Sequence, residues 1–163
     1  MKPIQITRRT YRAIMRTIGR IPPEAGGILA CDGDGVVCAF YFDANADTTG
    51  LCYRPSIADL EQVICEDWIP RGLFFCGICH SHPADPLPSG PDLRTAQTLM
   101  EVNGLTQLLL PIVTDGKLTV HVLCRRGTDL SLWTAPYQII ETRSNALWDT
   151  FIESFLSRRK SIR

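Results

Sequence analysis

Apolar positions along the chain follow two periods, and the switches between them mark the elements. Tyr11, Ile14, Met15 and Ile18 recur at i, i+3, i+4 and i+7 with arginines between them, which predicts an amphipathic helix ended by Gly19 and Pro22-Pro23. Gly26–Cys31 and Val36–Phe42 are short apolar runs on either side of Asp32-Gly33-Asp34-Gly35, the pattern of two strands joined by a tight turn. Asp43 to Gly50 is polar and turn-rich, a loop. Ser56 is placed to cap a helix that carries Ile57, Leu60, Val63, Ile64 and Trp68 on one side and closes at Pro70-Arg71-Gly72. Leu73–Cys79 is almost uninterrupted apolar sequence, as in a strand buried on both faces.

Beyond that strand lie His80-Ser81-His82-Pro83 and a proline-rich loop to Pro91. A helix from Asp92 to about Val102 turns Leu93, Ala96, Leu99 and Met100 inward and stops at Asn103-Gly104. Gln107–Val113 and Leu118–Cys124 flank Thr114-Asp115-Gly116-Lys117, a hairpin signature. Tyr137–Ile140 reads as a further strand. Asn145–Ser157 reads as a last helix with Leu147, Trp148, Phe151, Ile152, Phe155 and Leu156 on its apolar side. Trp68, Trp133 and Trp148 stand among apolar neighbours and read as core. Strands and helices mix without repeat or linker, so the expectation is a single α+β or α/β domain over residues 1–163.

Composition narrows the function classes. Seventeen basic residues balance seventeen acidic ones, so no broad surface for nucleic acid or anionic membrane is expected. No apolar run approaches the roughly 20 residues of a membrane span. The arginine-broken N-terminal stretch does not read as a secretory signal. Seven cysteines, an odd number and mostly inside apolar runs, suit a reducing cytoplasm better than a disulfide framework.

The chemistry concentrates after residue 79. His80 and His82 are two apart, so at a strand's end their imidazoles face the same side and can share one metal ion. Asp92 follows ten residues on, where the chain turns into a helix. Two histidines and a carboxylate with a fourth position for water form a catalytic rather than a structural zinc set. Each residue also has a plain structural reading. His-x-His occurs at ordinary strand ends, Asp92 suits a first helical turn, and Ser89 suits its N-cap. Cys76-Gly77-Ile78-Cys79-His80 spells the attachment motif of c-type haem, but these cysteines fall inside a strand and His80 is better used with His82. Cys79 adjoins a ligand and is expected near the site's edge. His121, in Thr119-Val120-His121-Val122, reads as a core or strand-face histidine.

Taken together, His80-Ser81-His82-Pro83, a short proline-containing loop and Ser89-x-x-Asp92 resemble the signature of the JAMM (MPN-plus) metalloproteases, whose upstream glutamate is matched by Glu24-Ala25-Gly26-Gly27-Ile28-Leu29. The likeness runs over residues 8–125. The six residues between His82 and Ser89 are one fewer than the family pattern has. The resemblance implies a JAB/MPN fold similar to that of cytidine deaminase, with a central mixed sheet flanked by helices. It implies one zinc ion on His80, His82 and Asp92, Glu24 as general base and then acid to the leaving amine, and Ser89 as donor to the oxyanion. It also implies a peptidase or isopeptidase that cleaves after the C-terminal glycine of a ubiquitin-like or sulfur-carrier protein, or of its conjugate, with E1- or E2-like enzymes as accompanying partners. The loop Asp43–Pro55, with Tyr53 and Arg54, is the candidate for gripping the substrate tail, and an ordinary surface loop is its plain alternative. The tight Thr114–Lys117 turn leaves no room for the insertion of longer eukaryotic relatives, which suits a small stand-alone enzyme. Two rivals are a non-catalytic MPN-type scaffold and a zinc hydrolase of small molecules. The zinc deaminase order of ligands differs from the one seen here.

Overall fold

A computed structural model describes residues 2–19, 24–47 and 53–141. The Pro22-Pro23 stop and the Asn145–Ser157 helix with Trp148 lie outside the described residues. The elements are β1 (Ile4–Thr7), α1 (Arg8–Arg16), β2 (Gly26–Cys31), β3 (Val37–Phe42), α2 (Ile57–Gln62), β4 (Phe74–Ser81), α3 (Gly90–Val102), β5 (Gln107–Thr114), β6 (Lys117–Arg126), β7 (Asp129–Ala135) and β8 (Tyr137–Ile140). The eight strands form one mixed sheet in the order β7-β6-β5-β4-β2-β3-β1-β8. The fold is α+β, a sheet with helices against it.

Each face of the sheet carries its own core. Ile6, Leu29, Val37, Cys79, Leu109, Val120 and Val122 pack with Ile14 of α1 and with Ile18. Ile28, Ala30, Ile78, Leu108, Leu110 and Leu123 pack on the other face with Leu60, Trp68, Ala96 and Met100. Alternation along β2 and β4 therefore sends successive residues into different cores, which is why both strands read as unbroken apolar runs. The outer end of β4 is the exception, since Phe74 is exposed.

Helix α1 starts earlier than its apolar stripe suggests. Thr7 caps it, accepting from Thr10 N, and Thr17 ends it by returning its hydroxyl to Ala13 O at 2.8 Å. The second helix departs from an ideal period. It runs as α-helix only to Gln62, continues as a wide π-helical turn over Val63–Trp68, and tightens to 3-10 geometry at Ile69–Arg71 before Gly72. Leu60 and Trp68 are buried, whereas Ile57 is 53% exposed. Ser56 stands at its N-cap position, but its hydroxyl donates to Asp59 Oδ2 at 2.9 Å and makes no capping bond. The β5–β6 turn has positive φ at Asp115 (49°) and Gly116 (70°), the primed geometry that two-residue hairpins require.

Strand β1 is only four residues long and Leu130 and Leu132 of β7 are exposed, so neither marks a core-facing run, yet both complete the sheet. β1 is fixed by pairing with β8 (Ile4 opposite Tyr137, Ile6 opposite Ile139), and β7 lies along β6 (Val122 opposite Trp133). Trp68 is core as expected. Trp133 is only partly buried, with its Nε1 enclosed and unbonded.

Candidate metal centre

The two central strands create the site. β2 and β4 are antiparallel with Gly26 opposite His80, so the start of one lies beside the end of the other. Ser81 N donates to Ala25 O at 2.9 Å and locks that junction. His82 N donates to Val113 O at 3.0 Å, which holds the chain against β5 as it leaves the sheet. Glu24 stands just before β2 and is 6% exposed. Its φ is +67°, a left-handed value that a residue with a Cβ adopts only under constraint.

Asp92 arrives from α3. Ser89 forms a reciprocal cap with it: Ser89 N donates to Asp92 Oδ2 at 2.7 Å, and the Ser89 hydroxyl donates to the same oxygen at 2.6 Å. The serine and the aspartate thus set the first turn of α3, the structural role each suggests alone. The same cap aims the carboxylate at the histidines. Asp92 Oδ1 lies 3.3 Å from His80 Nε2, and Oδ2 lies 3.3 Å from His82 Nε2. The two Nε2 atoms are 2.9 Å apart.

These spacings suit a small tetrahedral cation. Ligand atoms about 2.0–2.1 Å from such an ion stand about 3.3–3.4 Å from one another. Glu24, His80 and His82 also offer one ligand atom each within 4.8 Å of one another, so the Glu24 carboxylate lies near the same point. His82 Nδ1 lies 2.8 Å from Asp85 O. A carbonyl only accepts, so Nδ1 carries a proton, which leaves Nε2 as the nitrogen that can turn a lone pair to an ion. Two imidazole nitrogens and a carboxylate thus converge in a buried site, a set that can ligate one cation. The donors, nitrogen and oxygen only, fit zinc.

Charge in the site is strongly coupled. Burial raises the Asp92 carboxyl, but hydrogen bonds from His80, His82 and Ser89 outweigh it and hold the group far below the usual carboxylate range. The hydrogen bond to Asp92 raises His82. Burial raises Glu24, with the two histidines opposing. A buried carboxylate beside a candidate metal can accept a proton from water and give it back.

Tyr53 and Arg54 have separate placements. Tyr53 is 5% exposed, its ring stacks on His80 at 6.1 Å, and its hydroxyl donates to Asp43 Oδ2 at 3.0 Å. Burial and Asp43 push its phenol well above the usual range. Its ring passes so close to Gly26 that a Cβ there would stand 2.8 Å away, so Gly26 is the residue that admits it. Tyr53 is therefore a wall behind the first histidine. Arg54 is exposed, opposite Asp47 in an isolated bridge.

Cys79 is fully buried in the core that Ile14 of α1 also joins, with its thiol pushed up by desolvation, so it does not reach the site's edge. The six described cysteines are free, including both members of the C-x-x-C-H sequence. The groups that sequence reasoning missed are Asp43 beneath Tyr53 and the Asp85 carbonyl behind His82. Neither has a local sequence signal, because each acts through a contact made by folding.

No curated protein matches the chain. A family model, prokaryotic homologs of the JAB domain, matches residues 7–135, a span that contains Glu24, both histidines, Ser89 and Asp92. The chain belongs to that family of prokaryotic JAB-domain homologs.

Proposed function

We propose that this protein is a zinc-dependent peptidase or isopeptidase that hydrolyses the amide after the C-terminal glycine of a ubiquitin-like or sulfur-carrier protein. The observation that carries the reading is the convergence of Asp92 on both histidines at 3.3 Å with the strained, buried Glu24 beside them. A structural aspartate needs only its helix cap, and a scaffold has no use for Glu24 at a positive φ.

His80, His82 and Asp92 would hold the ion. Bound there, zinc supplies a polarised scissile carbonyl and a more acidic water. Glu24 accepts the proton of the attacking water as its oxygen bonds the carbonyl carbon. It then hands that proton to the amine as the C–N bond breaks. Ser89 donates its hydroxyl hydrogen to the oxyanion, turning from Asp92 Oδ2 to do so. Tyr53 keeps His80 in place from behind and shields it from water. Arg54, exposed on the same loop, is the candidate to grip an extended tail. The partners on this reading are a ubiquitin-like protein or its conjugate and the E1- or E2-like enzymes of its system, in the cytoplasm. No described helix is long and apolar enough to cross a membrane.

The test is zinc stoichiometry and cleavage measured together. One zinc per chain, little in His82→Ala, and cleavage of a ubiquitin-like fusion lost in Glu24→Gln with zinc retained is the expected result. Zinc without cleavage of any glycine-terminated fusion favours a small-molecule hydrolase. A zinc-free protein from a chelator-free preparation overturns the reading in favour of a scaffold.

A further inference from the structure

His121 is fully buried in the middle of β6, between Val120 and Val122, and the mechanism above does not use it. Both of its ring nitrogens are bonded. Nε2 lies 2.6 Å from Pro86 O, and Nδ1 lies 3.2 Å from Thr134 Oγ1 on β7. The Pro86 carbonyl only accepts, so Nε2 carries the proton. The Thr134 hydroxyl then donates to the Nδ1 lone pair.

Pro86 belongs to the six-residue loop between His82 and Ser89. That loop contains Pro83, Pro86 and Pro88, so half of its residues have no N–H with which to anchor it. Its attachment runs through carbonyls instead. Asp85 O accepts from His82 Nδ1 at 2.8 Å and from Thr114 Oγ1 at 3.5 Å. Leu87 N donates to Asp85 Oδ1 at 2.9 Å and tightens the bend. Asp85 O and Pro86 O are consecutive carbonyls joined through a proline whose φ is locked, so only its ψ turns between them. Holding the second therefore restrains the first.

We infer that His121 is a positioning residue for the metal centre: by gripping Pro86 O from beneath, it aims the Asp85 carbonyl at His82 and so keeps His82 Nε2 free and directed at the ion. The inference rests on the reading of His82 as a ligand. The line of contacts runs from Thr134 on an edge strand through His121 to the loop and ends at His82. A packing role alone would be filled by an apolar residue like its strand neighbours, and would not need a donor aimed at a loop carbonyl. Partners that orient a ligating histidine in this way typically contribute 10–100-fold in metal affinity or activity.

Two near-isosteric substitutions separate the hydrogen bond from the packing. His121→Gln keeps an N–H donor, and His121→Met does not. Zinc affinity is read by competition with a chromophoric chelator, and imidazole tautomers by nitrogen-15 NMR of the metal-free protein. The expected result is a zinc affinity at least about tenfold lower for His121→Met, with a mixed His82 tautomer, and His121→Gln within about threefold of the parent. Equal affinity and an unchanged His82 tautomer in His121→Met overturn the inference. So does an equal loss in both variants, which would mean packing alone. The unsubstituted protein gives a test that no folding defect obscures. There His121 must carry its proton on Nε2 and His82 on Nδ1, and the opposite tautomer at either overturns the inference. If the unsubstituted protein binds no zinc, the metalloenzyme reading fails, and the tautomers still judge the contact.

Discussion

Replacing Glu24 by glycine should stabilise the metal-free protein while abolishing its activity. Glu24 holds φ at +67°. For a residue with a Cβ, left-handed backbone costs about 1–2 kcal/mol. Glycine removes that cost but adds about 0.4–1 kcal/mol of unfolded-chain entropy. The net gain is about 0.5–1 kcal/mol from the backbone alone, by the same two terms. In a domain of this size it appears as a rise in Tm of about 1–4 °C. Glu24→Gln is the control, because it keeps the strain and removes the charge. Burial raises the Glu24 carboxyl, so the folded state holds its proton more tightly than the unfolded state does. Its contribution to stability is therefore complete below the ordinary glutamate range and is lost as pH rises through the raised folded value. The glutamine variant should exceed the parent at neutral pH and match it in acid. The glycine variant should exceed the parent in both, since strain does not titrate. The assay is urea unfolding of chelator-treated protein at neutral and acid pH, followed by circular dichroism. A glycine variant no more stable than the glutamine variant in acid would refute the claim that Glu24 is strained.

Other consequences follow from single contacts. Ser89→Ala removes the hydroxyl's bonds in the cap on α3, leaving Ser89 N on Asp92 Oδ2, and should cost about 1 kcal/mol of metal-free stability, with a larger loss of cleavage because Asp92 also loses its 2.6 Å partner; urea midpoints and turnover measured side by side check this. Gly26→Ala drives a methyl against the Tyr53 ring and should cost about 1–3 kcal/mol, with a shift of the His80 ring resonances as the ring above it is displaced. The Cys31 thiol, lowered to about 7 by its hydrogen bond with Cys76, should alkylate readily in native protein near neutral pH, whereas the buried Cys79 should react only on unfolding; mass spectrometry of iodoacetamide-treated peptides reads both.

Much of the site was legible before folding because its chemistry is local. His80 and His82 share a face by strand geometry, and Ser89 and Asp92 share a helical turn, so each pair is set by spacing of two or three residues. The hairpin at Thr114–Lys117 and the two-faced burial of β4 follow equally from short-range pattern. Glu24 had no such signal. It reached the site only through resemblance, because its place depends on β2 starting where β4 ends. Strands β1 and β7 escaped detection because β1 is only four residues long and β7 is an edge strand with exposed leucines, so each is held by its partners more than by an apolar face. The wide turn at Val63–Trp68 set aside a clean helical period so that Trp68 could fill the core beside Met100. Tyr53 behind His80, and His121 under the loop, are contacts between residues 27 and 35 positions apart in sequence or more. The sequence by itself determined the periods, the caps and the ligand types, which depend on neighbours a turn or less away. Sheet order and strand register decided which of those groups meet, because backbone pairing across the sheet is set by how both cores close together rather than by any one segment.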